Sequence, residues 1–340
     1  MKKSLSLLAL GAAAVLGLSA CGTGSSAQSE GTDKSESSQS APASAESYQI
    51  GITQLMSHPS LDAARDGFVQ AIEDAGLDVT FDEQNANGDQ SVASSIAGTF
   101  NSGNYDLILA IATPNAQAVA QAITDKPVLF TAITDPVDAG LVDSMDQPGG
   151  NMTGTSDANP VKEQLQLIKD VVPDAKKVGI IYSPGEANSV VQVEWAKEAV
   201  KDLGLELVEA PAVSSQEVLQ AAESLSNVDA IYVPTDNVVV TSLETVLKVG
   251  EERQIPVFGA EGDTVARGAI GTYGLSYFDL GYQTGQMAVR ILVDGEDPAT
   301  MPVETLSTPM LYLNKGAAER MGVELPESLL AEVTPENLTE

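Results

Sequence analysis

Acidic, hydroxyl and amide side chains recur at one kind of place in this chain, directly after short apolar, β-branched runs. Gln54 follows residues 48–53, Thr113-Pro114-Asn115 follows 107–112, and Thr134-Asp135-Pro136 follows 127–132. Further on, Ser183-Pro184-Gly185-Glu186-Ala187-Asn188-Ser189 follows 178–182, Thr235-Asp236-Asn237 follows 230–234, and Glu261-Gly262-Asp263 follows 256–260. Small polar residues of this kind cap the next helix and leave its amide groups free for an anion. Their chemistry is hydrogen bonding and charge complementarity toward a small polar molecule. The parts needed for bond-making are missing. His58 is the single histidine, no Gly-x-Ser-x-Gly elbow holds a serine, and there is neither a Walker loop nor a Gly-x-Gly-x-x-Gly fingerprint. Residues 83–88 echo a calcium loop, but its closing position falls on Ser94. With one cysteine, a thiolate metal cluster is excluded too. The reading is a binding protein with no enzymatic activity, metal or cofactor.

The elements that must position these residues alternate between two periods. Apolar runs at 48–53, 105–112, 127–134, 177–183, 206–210, 230–235, 256–260 and 269–275 read as strands. Between them, Leu61, Ala64, Phe68, Ile72 and Ala75 recur at helical spacing, as do Val92, Ile96 and Phe100. Leu165, Ile168 and Val172, then Val191, Trp195 and Ala199, then Val218, Ala222 and Leu225, then Leu243, Val246 and Gly250 continue the pattern. Gly76, Gly204 and Gly250 stand where left-handed caps are expected. Strand–helix alternation predicts parallel sheets flanked by helices. A Gly-rich stretch at 149–155 divides the series, so the expected α/β architecture is two Rossmann-like lobes joined by a few crossings. Open parallel sheets bind ligands beyond the carboxyl ends of their strands, and two such edges facing each other make a polar cleft.

Several segments make a family resemblance specific. They are Ile52-Thr53-Gln54-Leu55-Met56-Ser57-His58-Pro59-Ser60-Leu61-Asp62-Ala63-Ala64-Arg65-Asp66-Gly67, Asn85-Ala86-Asn87-Gly88-Asp89, and Ile111-Ala112-Thr113-Pro114-Asn115-Ala116-Gln117-Ala118. With them come Thr134-Asp135-Pro136-Val137, Asn151-Met152-Thr153-Gly154-Thr155-Ser156-Asp157 and Gly259-Ala260-Glu261-Gly262-Asp263. Over residues 48–330 the chain resembles the tryptophan/tyrosine-type substrate-binding proteins of bacterial ABC importers. The resemblance implies a type I periplasmic-binding-protein fold, an aromatic amino acid as ligand, and an ABC permease with its ATPase as partners. It also implies hinge crossings near 155–159 and 275–278, with residues 48–157 and 276–300 in lobe 1, and 158–275 and 301–333 in lobe 2. The same fold holding a purine nucleoside, and a sensor lipoprotein without import, are the alternatives.

A zwitterionic ligand needs an acid for its ammonium and hydroxyl or amide groups for its carboxylate. Asp236 and Glu261 are candidates for the first task, with Asp135 and Asp157 as first-lobe alternatives; Asp135 precedes Pro136 and is suited to shaping a turn. Thr113, Thr134, Ser156, Asn188 and Ser189 are candidates for the second. Gln54, Asn115 and Asn237 are further hydrogen-bonding candidates. Met56 and Tyr182 are candidate apolar walls, and His58 either lines the cleft or orders the loop before Pro59.

The first residues concern location. Lys2 and Lys3, an apolar run at 5–18 and Leu18-Ser19-Ala20-Cys21 describe a signal peptide whose cut site resembles the lipobox of bacterial lipoproteins. That resemblance implies residues 1–20 as the signal, Cys21 as the lipidated first residue of the mature chain, and the outer face of the cell membrane as its station. Residues 22–47 are small and polar, a composition that forms a disordered linker. The net charge of −31 disfavours nucleic acid. The folded body is expected to act as a monomer.

Overall fold

The computed structural model describes residues 47–306 and 308–340. The expected signal peptide, the lipobox with Cys21, and nearly all of the linker lie outside them. In chain order the first half comprises β1 (Ser47–Gln54), α1 (Pro59–Asp74), β2 (Asp78–Asn85), α2 (Gln90–Ser102), β3 (Leu107–Ile111), α3 (Thr113–Ala122), β4 (Val128–Ile133) and β5 (Met152–Ser156). The second comprises α4 (Val161–Val171), β6 (Lys177–Tyr182), α5 (Ala187–Leu203), β7 (Glu206–Pro211), α6 (Val218–Ser224), β8 (Ala230–Val233), α7 (Asn237–Thr241), α8 (Leu243–Arg253), β9 (Val257–Gly259), α9 (Gly262–Arg267) and β10 (Gly271–Gly274). The chain closes with α10 (Tyr277–Val289), β11 (Glu304–Thr305), β12 (Met310–Asn314), α11 (Lys315–Arg320), α12 (Glu327–Glu332) and β13 (Leu338–Thr339). None of the described helices is long and apolar enough to cross a membrane.

The first sheet runs β2-β1-β3-β4-β5-β11 and the second β7-β6-β8-β9, every neighbour parallel. Both therefore open with the same doubly wound order, and each has a switch point, between β1 and β3 and between β6 and β8. The three strands β10-β12-β13 form a smaller sheet beside the second one, joined where Ile270 N–H donates to Val257 O.

Alternation along the strands explains the layers. Ile50, Ile52, Leu107, Leu109 and Leu129 face α1 and α10, whereas Ile108, Ala110, Val128 and Phe130 face α2 and α3. A single core from Val161 to Val333 fills the second half.

Four sequence expectations change. β2 was invisible as a strand because it is an exposed edge rich in acids. Residues 149–155 are not simply a divider, since they run into β5, and β5 is fully buried. Gly154 is required there by close approach: a Cβ would sit 2.0 Å from Phe130 O. Gly250 lies inside α8, where a Cβ would meet Val257 and the Ile255 carbonyl, and Gln254 adopts the left-handed cap instead. Residues 301–305, expected in lobe 2, belong to the first sheet: Met301 and Val303 pack into its cores and Glu304–Thr305 pairs with β5.

The helix that returns to the first half is fixed by glycine. A Cβ on Gly281 of α10 would lie 1.8 Å from Ala64 O, and one on Gly67 of α1 would lie 2.0 Å from Phe278 O. Backbones this close leave no room for a methyl group. Gly281→Ala is expected to destabilise the protein by roughly 1–3 kcal/mol through overpacking, read from the urea midpoint at unchanged slope.

Candidate functional site

Each doubly wound sheet presents its strand ends to the other, and the polar residues singled out in the sequence gather there. From the first sheet come Gln54, Thr113, Thr134 and Asp157, at the ends of β1, β3, β4 and β5. From the second come Asn188 at the start of α5, Asn237 at the start of α7, and Glu261 before α9. Local backbone strain marks the first rim. Ala112 and Ala132 hold φ values of 76° and 58°, just before Thr113 and Thr134, and the β4–β5 register shifts between Phe130 and Ile133. Non-glycine residues in that region cost energy and persist where the surroundings impose them.

The two rims touch. His58 Nε2 lies 3.3 Å from Asn237 Oδ1, Ser60 Oγ donates to Glu261 Oε2, and Thr241 Oγ1 lies 2.9 Å from the Met56 sulfur. The contacts fix a tautomer. Glu186 Oε2 accepts Asn237 Nδ2–H at 2.6 Å, so the Asn237 oxygen faces His58 and must accept from Nε2–H. His58 Nδ1 is then a bare acceptor, buried and without a protein partner. Burial holds this imidazole below its usual pKa and therefore neutral.

Further polar atoms are buried without a protein partner at the same place: Thr113 Oγ1, Asn115 Oδ1, Thr134 Oγ1, Asp157 Oδ1 and Asn188 Oδ1. Thr134 stands near enough to Asp157 to favour its charged form, yet no bond of acceptable geometry closes between them. Buried polar atoms are rarely left this way, and here they come from both rims.

Four carboxyl groups are buried around them: Asp157, Glu186, Asp236 and Glu261. Among the described residues no ion pair engages any of the four. Burial pushes all four above the ordinary carboxylate range, Glu261 to about 8. Glu261 is raised further by the charge of Asp157, and Glu186 by that of Asp236.

The candidates divide by what their atoms already do. Asp236 is a scaffold residue: it accepts Val239 N–H as the cap of α7, Ser189 Oγ–H at 2.7 Å, and Ser183 N–H. That assigns Ser189 to the same scaffold. Ser156 donates to Thr134 O and accepts Ala158 N–H. Gln54 ties the first loop together through Met56 O and Asp62. Asp135 caps its own turn through the N–H groups of Val137 and Asp138. Tyr182 points outward to Glu209, so it is not a wall of the cleft. Glu186, which the sequence reading passed over as part of a loop, holds both Asn188 and Asn237. Its place between Gly185 and a helix start was the one available signal. Tyr277 was also missed; its hydroxyl donates to Asp157 Oδ2 at 2.7 Å.

This chain belongs to the ABC transporter substrate binding protein family, whose description matches residues 49–336. Its two lobes form the type I periplasmic-binding-protein fold. It is 41% identical over 329 residues, 95% of this chain and 94% of the other, to the tyrosine-binding protein of Clostridioides difficile. A Streptococcus pneumoniae domain solved in complex with L-Trp is 35% identical, covers 87% of this chain and 100% of its own, and superimposes with a TM-score of 0.83. A ligand-free, open substrate-binding protein with adhesive properties from Clostridium difficile is 43% identical, covers 86% and 98%, and reaches only 0.66. The more similar sequence gives the poorer superposition. In this chain the two rims are in contact through His58, Ser60 and Met56.

The raised acids set the pH dependence of this folded conformation. Between about 4.5, the ordinary glutamate value, and about 8 for Glu261, the folded state keeps protons that the unfolded chain releases. Stability therefore falls as pH rises through this window. Neutral His58 acts oppositely below 6.5, but one histidine does not outweigh four carboxyls. The melting temperature is expected to drop from pH 5 to pH 8, and Glu261→Gln to flatten the upper part of that drop.

Proposed function

We propose that this protein captures a free aromatic amino acid between its lobes, closes over it by a hinge motion near residues 155–159 and 275–278, and delivers it to an ABC permease driven by a separate ATPase. The observation that carries this reading is the set of buried, unpartnered polar atoms contributed by both rims beside acids that form no ion pair among the described residues. An ammonium group suits the acids, and the hydroxyls of Thr113 and Thr134 suit a carboxylate. Met56, lying between the rims, suits an apolar side chain. The tyrosine-binding relative and the neighbour holding L-Trp support the aromatic class. No bond is made or broken in this cycle.

The same proposal places the protein on the outer face of the membrane, held by acyl chains on Cys21, as a monomer. Cys21→Ala is expected to move it from the membrane fraction to the soluble one, with loss of acyl mass from the mature N-terminus.

Screening by thermal shift tests the ligand class. At a large excess over Kd, one of L-tryptophan, L-tyrosine or L-phenylalanine is expected to raise the melting temperature by about 5 °C or more, while nucleosides leave it unchanged. Stabilisation by a purine nucleoside alone would overturn the amino-acid reading. Thr113→Ala and Asn188→Ala are each expected to weaken binding about tenfold, the loss of one buried hydrogen bond. Unchanged uptake of the bound solute in a deletion strain would instead support sensing.

A further inference from the structure

Resting on that reading, one acid of the second lobe decides which atoms its two asparagines offer the ligand. Glu186 Oε2 is the common acceptor for three N–H groups: Asn237 Nδ2 at 2.6 Å, Asn188 Nδ2 at 3.0 Å and the Asn237 backbone N–H at 3.3 Å. Asn188 Nδ2 also donates to Thr235 O at 3.0 Å. A backbone carbonyl only accepts, and Oε2 only accepts whether the acid is ionised or carries a proton on Oε1. Turning either amide over would set its oxygen against Glu186 Oε2, two acceptors in contact at a buried place. Each amide is therefore held one way round, with its NH2 toward the acid and its oxygen away. Asn188 Oδ1 is buried without a protein partner, and Asn237 Oδ1 is the atom beside His58.

We infer that Glu186 is a positioning residue for ligand specificity: by fixing these amides it makes the second rim an acceptor surface, which receives an N–H of the ligand's ammonium group at Asn188 Oδ1 and turns acceptors away. This reverses the part expected of Asn188 from its place in the sequence, where an amide beside a helix start serves a carboxylate. The two hydrogens of its NH2 are spent on Glu186 and Thr235, so no donor is left for one. The ligand carboxylate falls to the hydroxyls of Thr113 and Thr134, which can donate.

The arrangement does not wait on contact between the rims. Glu186, Asn188, Thr235 and Asn237 all lie between the end of β6 and the start of α7, on the second sheet. Gln192 buttresses them: its Nε2 donates to Thr235 O at 3.0 Å and Asn188 O at 2.7 Å, and its Oε1 accepts Thr235 N–H at 3.0 Å. The two amides are unequally held. Asn188 keeps Thr235 O if the acid is removed, whereas Asn237 Nδ2 has no other acceptor among the described residues. Loss of Glu186 thus frees Asn237 outright and leaves one hydrogen of Asn188 available to an acceptor.

Isothermal titration of the full chain with L-tryptophan, L-phenylalanine and indole-3-pyruvate, in which a keto oxygen replaces the ammonium group, reads the selectivity. The unsubstituted protein is expected to bind L-tryptophan about 100-fold more tightly than the keto acid, or better. In Glu186→Ala that gap is expected to narrow about tenfold, with L-tryptophan weakened and the keto acid not. Glu186→Gln, which keeps an oxygen for the same N–H groups, is expected to restore the gap. A merely structural Glu186 would weaken both ligands by one factor and leave their ratio unchanged, and that result would overturn the inference. Asn188→Ala is expected to weaken L-phenylalanine as much as L-tryptophan, since the ammonium group is the donor they share; a loss confined to L-tryptophan would contradict it. A measurement that needs no variant is proton–nitrogen correlation spectroscopy of the ligand-free protein. The side-chain NH2 groups of Asn188 and Asn237 are expected to exchange with water roughly 100-fold more slowly than that of exposed Asn101; equal rates would also overturn the inference while leaving the receptor intact. Failure of every amino acid to bind would instead overturn the receptor reading, and this inference with it.

Discussion

The structure is organised around four buried carboxyl groups that, among the described residues, no lysine or arginine pairs with. Removing a carboxylate from water is costly, and the protein answers the cost in two ways. Asp236 is surrounded by donors and serves as the cap and anchor of the second rim. Asp157 keeps an oxygen unanswered, and Glu261 faces it from across the cleft with an elevated proton affinity near pH 8. The first arrangement builds the wall; the second leaves a place for a positive charge.

The fold supplies this geometry because both halves repeat one strand order. A doubly wound parallel sheet delivers its loops to one edge, with the widest opening at the switch point. Two such edges facing each other bring residues about 200 positions apart into one network, as Ser60 and Glu261 show. The glycines of α1 and α10 lock the returning helix to the first lobe, so the chain after Gly274 is held on both sides of the crossing.

Much of this was legible in the residues. Strand–helix alternation revealed both lobes because continuous runs such as Leu107–Ile111 have no other use than a strand covered on both faces. The site residues could be proposed because ligand groups of such sheets lie just past strand ends, as Thr113, Thr134, Asp157 and Glu261 do, or at the start of the next helix, as Asn188 does. What one position cannot reveal is the direction of its side chain. Tyr182 ends a strand beside the cleft, yet its hydroxyl turns outward to Glu209. Asp236 and Glu261 look equivalent in sequence, and only the count of donors around each separates scaffold from receiver. Glu186 and Tyr277 act through partners about 50 and 120 residues away, beyond any local pattern. β2 escaped because an edge strand facing water carries no apolar signature.

The most direct measurement is a crystal structure of the protein with L-tryptophan or L-tyrosine bound. The ammonium nitrogen should lie within hydrogen-bond reach of Asp157 Oδ1 and of Glu261, with ligand atoms meeting Thr113, Thr134 and Asn188. A ligand seated outside the rims, or one whose ammonium rests on Asp236 while Asp157 Oδ1 stays unpartnered, would contradict the account.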